Sequence, residues 1–207
     1  MAPSDYHEAI WRELPEGLRP AAFEARLKFL LESASPGGRV LDLGCGEGAF
    51  AAELLRAGME VLAVDVAQEP LRRARARHAE IDLRLLASEA RWELDDGSFE
   101  LVWAGEVIEH VADTSGWLSE LRRVLRSGGV LALTTPALGR REMIRATLSR
   151  AAFAERFDPR TDHLRFYSPA TLRALLEDFG FEQIEIRSQG QPSGPRLLLC
   201  RAVRSRY

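Results

Sequence analysis

Residues 40–48 read Val40-Leu41-Asp42-Leu43-Gly44-Cys45-Gly46-Glu47-Gly48. The apolar run before the glycines predicts a buried strand over 39–43, and the apolar spacing after them predicts a helix over 49–57. Glycines spaced two apart let the backbone turn tightly and let a ligand approach the main chain. Open α/β sheets bind nucleotides at this end of the first strand. The stretch therefore predicts an α/β fold with a ligand site at the glycines; the alternative is a plain tight turn.

Strand-like and helix-like stretches alternate along the next hundred residues. Strands are predicted over 60–64, 82–86, 99–104 and 129–134, and helices over 69–79 and 115–126. This alternation favours parallel strands joined by right-handed crossovers, with helices on both faces of the sheet. After a helix over 169–179 come two final strands, 181–187 and 196–203, whose short Gly/Pro-rich connection permits a hairpin but no helical crossover. We predict a Rossmann-like, seven-stranded, mostly parallel sheet with an antiparallel last strand.

The length of 207 residues suits one domain of this kind, so 1–207 is predicted to be a single domain. Residues 1–36 are predicted to form an N-terminal helical cap with helices over 6–14 and 20–32. In this cap Tyr6, His7 and Trp11 are candidates to close the ligand pocket. Core packing is the alternative, because aromatic side chains on a short helix are often buried.

Composition narrows the class of protein. The formal net charge is −3, with 28 basic and 31 acidic groups, which argues against a nucleic-acid binder. Two cysteines make no disulfide framework, and no apolar run approaches the ~20 residues that span a bilayer. The N-terminus lacks signal-peptide features, so a cytoplasmic location without membrane insertion is expected. No carboxylate cluster of the kind that cages a divalent cation is evident, so no metal site is predicted.

Charge near the glycines distinguishes two possible cofactors. A dinucleotide site prefers the spacing Gly-x-Gly-x-x-Gly, whereas this chain has Gly-x-Gly-x-Gly with Asp42 before it and Glu47 within it. Negative charge is unfavourable beside a pyrophosphate and favourable beside the ammonium and sulfonium of S-adenosylmethionine. Asp65, at the end of the second predicted strand, can accept both hydroxyls of a ribose. Capping of the following helix is the alternative role for Asp65.

These motifs, with four more, resemble the class I S-adenosylmethionine-dependent methyltransferases over roughly residues 40–181. The further segments are the entry to the fourth strand at 96–102, the loop at 106–111, the turn at 121–131 and the segment 162–169 ahead of the last helix. Together they are most similar to the small-molecule subgroup that includes ubiquinone-biosynthesis O-methyltransferases. The resemblance implies an enzyme that transfers the methyl group of S-adenosylmethionine to a small-molecule acceptor.

The resemblance also implies a set of cofactor-binding residues: Asp42, Gly44, Cys45, Gly46, Gly48, Asp65, Val66, Ser88, Glu89, Ala90 and Glu106. The family usually has an Asp after the third strand, where it binds the adenine amino group. Here that position falls on Ser88, so either Ser88 with nearby main chain, or Glu89 through a one-residue shift, is expected to hold adenine. Glu106 is expected to bind the cofactor's amino group, because a carboxylate beside a cation stays ionised.

Two histidines are candidates for acid–base chemistry. In-line displacement at a sulfonium methyl needs an aligned nucleophile, and an O- or N-nucleophile must lose a proton. His110, just after the fourth strand, is the first candidate for general base, and His163 is the second. The alternatives are that His110 binds backbone and that His163 braces the last helix. Two other functions stay open: a non-catalytic cofactor-binding relative acting through a partner, and a dinucleotide-dependent oxidoreductase.

Residues 137–163 fall outside the alternating pattern and are predicted to form a helical, lid-like insertion over the acceptor. An apolar stripe and five arginines mark this segment: Ile144, Leu148, Ala151 and Ala152, with Arg140, Arg141, Arg145, Arg150 and Arg156. Arginines in a lid can bind an anionic acceptor. The alternative is an amphipathic helix whose arginines face water.

Overall fold

The computed structural model describes residues 3–86, 91–137, 140–158, 162–190 and 197–206. Within them the helices are α1 (Pro3–Glu13), α2 (Phe23–Ser33), α3 (Ala49–Arg56), α4 (Gln68–Arg77), α5 (Thr114–Val124), α6 (Arg140–Leu148), α7 (Arg150–Arg156) and α8 (Pro169–Asp178), with a 3₁₀ turn at Ile108–His110. The strands are β1 (Arg39–Leu43), β2 (Glu60–Asp65), β3 (Asp82–Leu85), β4 (Phe99–Gly105), β5 (Leu125–Pro136), β6 (Phe181–Gln189) and β7 (Leu197–Arg204).

These strands form a seven-stranded sheet in the order β3-β2-β1-β4-β5-β7-β6. The first five pair in parallel, and β7 lies antiparallel between β5 and β6. The predicted fold class, including the reversed last strand, is confirmed. Because β1 pairs with both β2 and β4, the glycine turn after β1 lies between the ends of those two strands. This arrangement brings Asp65, at the end of β2, and the loop after β4 to one edge of the sheet.

Apolar side chains cover both faces of the sheet, as parallel strands require. On one face Leu41 and Leu43 of β1 share a buried cluster with Leu118 and Leu121 of α5 and with Leu172 of α8. On the other, Val40 and Val61 share a cluster with Leu30 of α2 and with Phe50 and Leu54 of α3. The edge of the sheet that carries the site is thus held by two packed layers of helices.

Strand β5 is longer than the sequence predicted. It begins at Leu125, directly after α5, instead of at Gly129. Leu125 is fully buried and pairs with Phe99, and the register with β4 shifts before Leu101 pairs with Val130. The prediction failed here because Arg126-Ser127-Gly128-Gly129 looks like a turn in sequence, whereas the chain passes through it as an irregular strand.

Between β5 and α8, where the sequence predicts a helical, lid-like insertion, the described residues form two helices. Extended backbone at Ser149 separates α6 from α7, and the Ser149 hydroxyl accepts a hydrogen bond from the Ala152 amide at 3.2 Å. The predicted apolar stripe is largely uncovered: Ile144 and Leu148 are 51 % and 82 % exposed, while Ala152 is buried. Among the described residues, no helix is both long and apolar enough to cross a membrane.

Candidate cofactor and acceptor site

The glycine turn after β1 has the backbone that glycine alone adopts without strain. Gly44, Gly46 and Gly48 have φ of +72°, +54° and +80°. The amides of Gly44 and Cys45 both donate to the carbonyl of Val64, which ties the turn to the end of β2. A Cβ at Gly44 would lie 2.6 Å from Cγ2 of Val107, so this glycine lets the turn pack against the loop after β4. The glycine motif therefore brings the end of β2 and the loop after β4 together.

Two carboxyl groups, those of Asp42 and Asp65, lie beneath this turn, and both are buried. Asp65 accepts from the amides of Gly46 and Ala67 at 2.9 and 3.0 Å. Burial raises the pKa of Asp65, and these two hydrogen bonds oppose the shift. Burial and the neighbouring Asp65 raise the pKa of Asp42 to about 7. Oδ2 of Asp42 has no hydrogen-bond partner among the described residues.

These observations fit S-adenosylmethionine. An orphaned buried oxygen on Asp42 can accept from a bound ligand, and a cationic ligand would favour the ionised form of this acid. Each Asp65 oxygen already accepts one backbone hydrogen bond and keeps a lone pair for a ribose hydroxyl. Gly44 and Gly46 carry no side chain themselves, and Val107 and Trp11 pack where their Cβ atoms would stand.

The charge of Glu47 suggested a place beside a cationic cofactor, but its carboxylate is bound by groups of the protein itself. Its carboxylate accepts from Arg77, from Arg73 at 3.3 Å and from the amide of Gly17 at 2.8 Å. The negative charge is thus paired with two arginines and does not stand open to a cofactor.

Cys45 is buried, and burial raises the pKa of its thiol well above the usual value, which leaves the thiol unreactive.

Helix α1 covers the glycine turn. A Cβ at Gly46 would lie 3.0 Å from the indole of Trp11. Glu8 accepts from the amides of Gln68 and Glu69 at 2.7 and 3.0 Å, so α1 caps the N-terminus of α4. Contact between the N-terminal aromatic residues and the ligand site was a prediction from sequence; the carboxylate cap by Glu8 was missed.

Glu106, in the loop after β4, has the left-handed φ of +59° and an ion pair. Its Oε2 accepts from Arg26 of α2 at 3.0 Å. The Arg26 side chain is 3 % exposed and lies over the rings of Phe50 and Trp103. Sequence reasoning missed Arg26, since its partner lies 80 residues away and a helical arginine gives no signal of burial.

The two predicted catalytic histidines lie together. Their ring centroids are 4.9 Å apart, and His7 of α1 lies 5.8 Å from His110 on centroid distances. Nδ1 of His110 is 3.0 Å from the carbonyl oxygen of Asp162. Because a carbonyl only accepts, Nδ1 carries the proton in the neutral ring and Nε2 keeps its lone pair. Burial lowers the pKa of His110 against the opposing effect of Asp162, which favours this neutral form.

A third group in the same place, Glu109, was not singled out from sequence. Its side chain is 1 % exposed, one oxygen accepts from Thr135 at 2.9 Å, and Oε1 has no partner among the described residues. Burial raises the pKa of Glu109 to about 8. The Glu109 carbonyl also accepts from the amides of Leu164 and Arg165, which holds His163 beside His110. The sequence signal that could have indicated Glu109 is its place in a short turn, between the apolar Ile108 and the candidate base His110.

Val66 follows Asp65 at the same edge of the sheet and is half-buried. Ser88, Glu89 and Ala90, which were predicted to hold adenine, lie outside the described residues. The fold and this arrangement define the class of protein: an α/β domain with a nucleotide-type ligand site at β1 and β2, and a histidine cluster after β4.

The comparisons with known proteins agree with that class. The profile of the family described as "Methyltransferase domain" matches residues 11–186. The ubiquinone biosynthesis O-methyltransferase of Hahella chejuensis is 31 % identical over 169 residues, which cover 78 % of this chain and 71 % of that protein. The protein of the same name from Ruegeria sp. is 34 % identical over 153 residues, which cover 71 % of this chain and 61 % of that protein.

A solved structure shares the fold. Haemonchus contortus phosphoethanolamine N-methyltransferase 2, in complex with S-adenosyl-L-methionine, matches with a TM-score of 0.75 at 18 % identity, covering 99 % of this chain and 57 % of that chain. The matched region thus covers only 61 % of the length of the Ruegeria protein and 57 % of the solved chain. It belongs to the methyltransferase domain family. The predicted enzyme class, a methyltransferase, is confirmed.

Proposed function

We propose that this chain transfers the methyl group of S-adenosylmethionine to an O- or N-nucleophile of a small-molecule acceptor by in-line displacement. The observation that carries the proposal is the junction of two groups at one edge of the sheet. Gly44 of the glycine turn packs on Val107, and three residues later His110 opens the histidine cluster. The turn proposed to bind the cofactor and the proposed proton acceptor are therefore neighbours.

The cofactor supplies an activated methyl group, and the residues of this chain bind and orient it. Asp65 is proposed to bind the ribose hydroxyls, with Asp42 below the turn. Gly44, Cys45, Gly46, Gly48 and Val66 are proposed to line the rest of the site, with Ser88, Glu89 and Ala90 at the adenine. Glu106 is proposed to bind the amino group. Its ion pair with Arg26 at 3.0 Å fixes the carboxylate and leaves its second oxygen for that contact.

His110 is the proposed general base, and His163 the group that positions the acceptor. The bond from Nδ1 to the Asp162 carbonyl leaves Nε2 to take the acceptor's proton. The names of the Hahella and Ruegeria relatives favour a hydroxyl oxygen as the nucleophile. We further propose one domain with two covers: the N-terminal helices 1–36 on the cofactor side and the insertion 137–163 on the acceptor side.

Methyl-labelled S-adenosylmethionine tests the reaction with a panel of phenols, alcohols and amines. Label is expected in one class of acceptor. In that assay His110→Gln is expected to lower kcat about 100-fold or more, the usual range for loss of a positioned base. His78→Gln serves as the matched control, because His78 ends α4 beside Glu80. An unchanged kcat in His110→Gln would remove the base from the mechanism, and absence of label from every acceptor would contradict the proposed reaction.

A further inference from the structure

Helix α1 carries a histidine to which the proposed reaction assigns no role. His7 is half-buried, and its ring centroid lies 5.8 Å from that of His110, with the two ring planes 84° apart. This is the edge-to-face arrangement that aromatic rings favour. We infer that His7 is a positioning residue of the acceptor site, which holds the imidazole of the proposed base in place. The inference rests on the proposed function, because it gives His7 a task in the same reaction.

His110 contacts rings from two distant parts of the chain. Its centroid lies 4.9 Å from that of His163, at an interplanar angle of 74°, so both neighbouring rings meet it close to perpendicular. One neighbour comes from α1 and the other from the segment ahead of α8. With the hydrogen bond of Nδ1 to the Asp162 carbonyl at 3.0 Å, these contacts restrict rotation of the His110 side chain. A general base needs such restriction, because proton transfer requires a defined geometry.

One face of α1 reaches both parts of the site. His7 and Trp11 are four residues apart, so their side chains lie on the same side of the helix. A Cβ at Gly46 would lie 3.0 Å from the Trp11 indole, whereas His7 contacts His110. The helix that covers the glycine turn therefore also brings a ring to the proposed base.

The position of His7 is fixed by the contacts of its neighbours in α1. The carboxylate of Glu8, the next residue, accepts from the amides of Gln68 and Glu69 at 2.7 and 3.0 Å. One turn further along α1, the carbonyl of Trp11 accepts from Arg73 at 2.6 Å. These hydrogen bonds hold α1 against α4 on both sides of His7, so an anchored helix carries this ring to the site.

The charge of His7 acts on both the cofactor side and the proposed base. Burial raises the pKa of Asp65, and the charge of His7 is among the effects that oppose this shift. Burial lowers the pKa of His110, and the charges of His163 and His7 act in the same direction. His7 is thus within electrostatic reach of the end of β2 and of the loop after β4, the two places between which the methyl group would pass.

Two acids also face the proposed base. A carboxylate oxygen of Asp162 lies 3.5 Å from Nδ1 of His110, and one of Glu109 lies 3.9 Å from Nε2. Asp162 favours the protonated ring. Burial raises the pKa of Glu109 to about 8, so this acid is largely neutral near pH 7. Loss of His7 would leave Asp162 opposed by one histidine fewer, and His110 would hold its proton up to a higher pH.

Two substitutions separate the ring contact from the charge. His7→Ala removes the ring, and kcat is expected to fall about tenfold, because a misplaced group slows a reaction that depends on alignment. His7→Phe keeps an edge-to-face ring without the charge and should restore most of kcat, with the affinity for S-adenosylhomocysteine unchanged. In both variants the acid limb of kcat/KM for the acceptor should move to higher pH, since the cation beside His110 is lost. Glu13→Ala, at an exposed position of α1, is the control and should match the wild type.

Proton NMR titration of the His110 ring gives a second readout that needs no acceptor. The pKa of His110 should be higher in His7→Ala and His7→Phe than in the wild type and Glu13→Ala, and thermal melts of all variants check their folding. An equal loss of kcat in both His7 variants with an unshifted pH profile would show a merely structural role and overturn the inference.

The two proposals fail in different ways. If the wild type transfers label and His7→Ala keeps the same kcat and the same His110 titration, His7 does not position the base and the proposed function stands. If no acceptor takes label but the His110 titration shifts in both His7 variants, the proposed function is wrong and the contact between His7 and His110 stands.

Discussion

Helix α1 and the α6–α7 segment both lie outside the alternating fold, but they are attached to it in different ways. Helix α1 is tied to the cofactor side by charged groups: Glu8 caps α4, and Arg73 donates to the carbonyls of Trp11 and Leu14 at 2.6 and 2.9 Å. The α6–α7 segment exposes large apolar side chains, among them Leu148 and Phe153.

Further along the chain, hydrogen bonds of Leu164 and Arg165 join the segment before α8 to the loop after β4. The Glu109 carbonyl accepts from the amides of Leu164 and Arg165, and the Arg165 guanidinium donates to the carbonyls of Val111 and Ala112. The difference supports the proposal that these two segments cover the cofactor and the acceptor. Specific side-chain contacts on the cofactor side suit a ligand common to the family. A loosely covered acceptor side suits a substrate that varies, because function is carried by such segments and not by the fold.

The largest expected effect lies beneath the cofactor cover, at Asp42. Burial and Asp65 raise the pKa of Asp42 to about 7, while Arg26 and the Ala51 amide act against that shift. A raised folded-state pKa means that stability is fully present below the unfolded value near 4 and is lost as pH rises through about 7. Between pH 4 and pH 7.5 we therefore expect this group to lower the free energy of unfolding by about 4 kcal/mol.

Denaturant unfolding of Asp42→Asn at the two pH values measures this contribution. The amide cannot ionise, so the variant should lose about 4 kcal/mol less than the wild type over the same range. Asp82→Asn, an exposed acid paired with Arg84, is the matched control and should follow the wild type. Equal pH dependence in wild type and Asp42→Asn would contradict the burial of an ionisable acid beneath the turn.

The next effect concerns the attachment of α1. Arg73→Ala removes the guanidinium that holds the end of α1 and Glu47, so the amides of α1 should exchange with solvent faster, by about tenfold, while those of α6 stay unchanged. Hydrogen exchange measured by mass spectrometry resolves the two segments. Arg75→Ala removes an exposed arginine of the same helix and is the control. If α1 and α6 respond alike, the two covers are not independently attached.

The smallest effect is expected on the acceptor side. Arg145→Ala with Arg150→Ala should raise KM for an anionic acceptor about threefold, since surface ion pairs are individually weak, and leave the affinity for S-adenosylhomocysteine unchanged. Steady-state kinetics with the acceptor found by labelling measure the change, and Arg84→Ala on β3 is the control. An unchanged KM would indicate that these arginines face water and take no part in binding.

The sequence predicted the architecture well because hydrophobic periodicity is a local property. The alternation of strands and helices gave the parallel sheet, and the short connection near residue 190 gave the reversed last strand. The glycine motif and Asp65 were recognised because their spacing is local too. What the sequence did not give were contacts between distant residues: Arg26 with Glu106, Glu8 with the start of α4, and Glu109 with His163.

The sequence left open what the apolar stripe on α6–α7 contacts. Helical spacing of apolar residues predicts a covered face, but it does not say what covers it. Ile144 and Leu148 are exposed in the described structure.

Calorimetric titration with S-adenosylhomocysteine, in parallel with NADH, tests the central claim most directly. The wild type and Asp82→Asn are expected to bind S-adenosylhomocysteine and not NADH. Asp65→Asn keeps an acceptor oxygen for the backbone but loses the carboxylate for the ribose, and should bind at least about tenfold more weakly. Binding of NADH instead, or equal affinity in Asp65→Asn and the wild type, would contradict the assignment of the cofactor site to the turn after β1 and the end of β2.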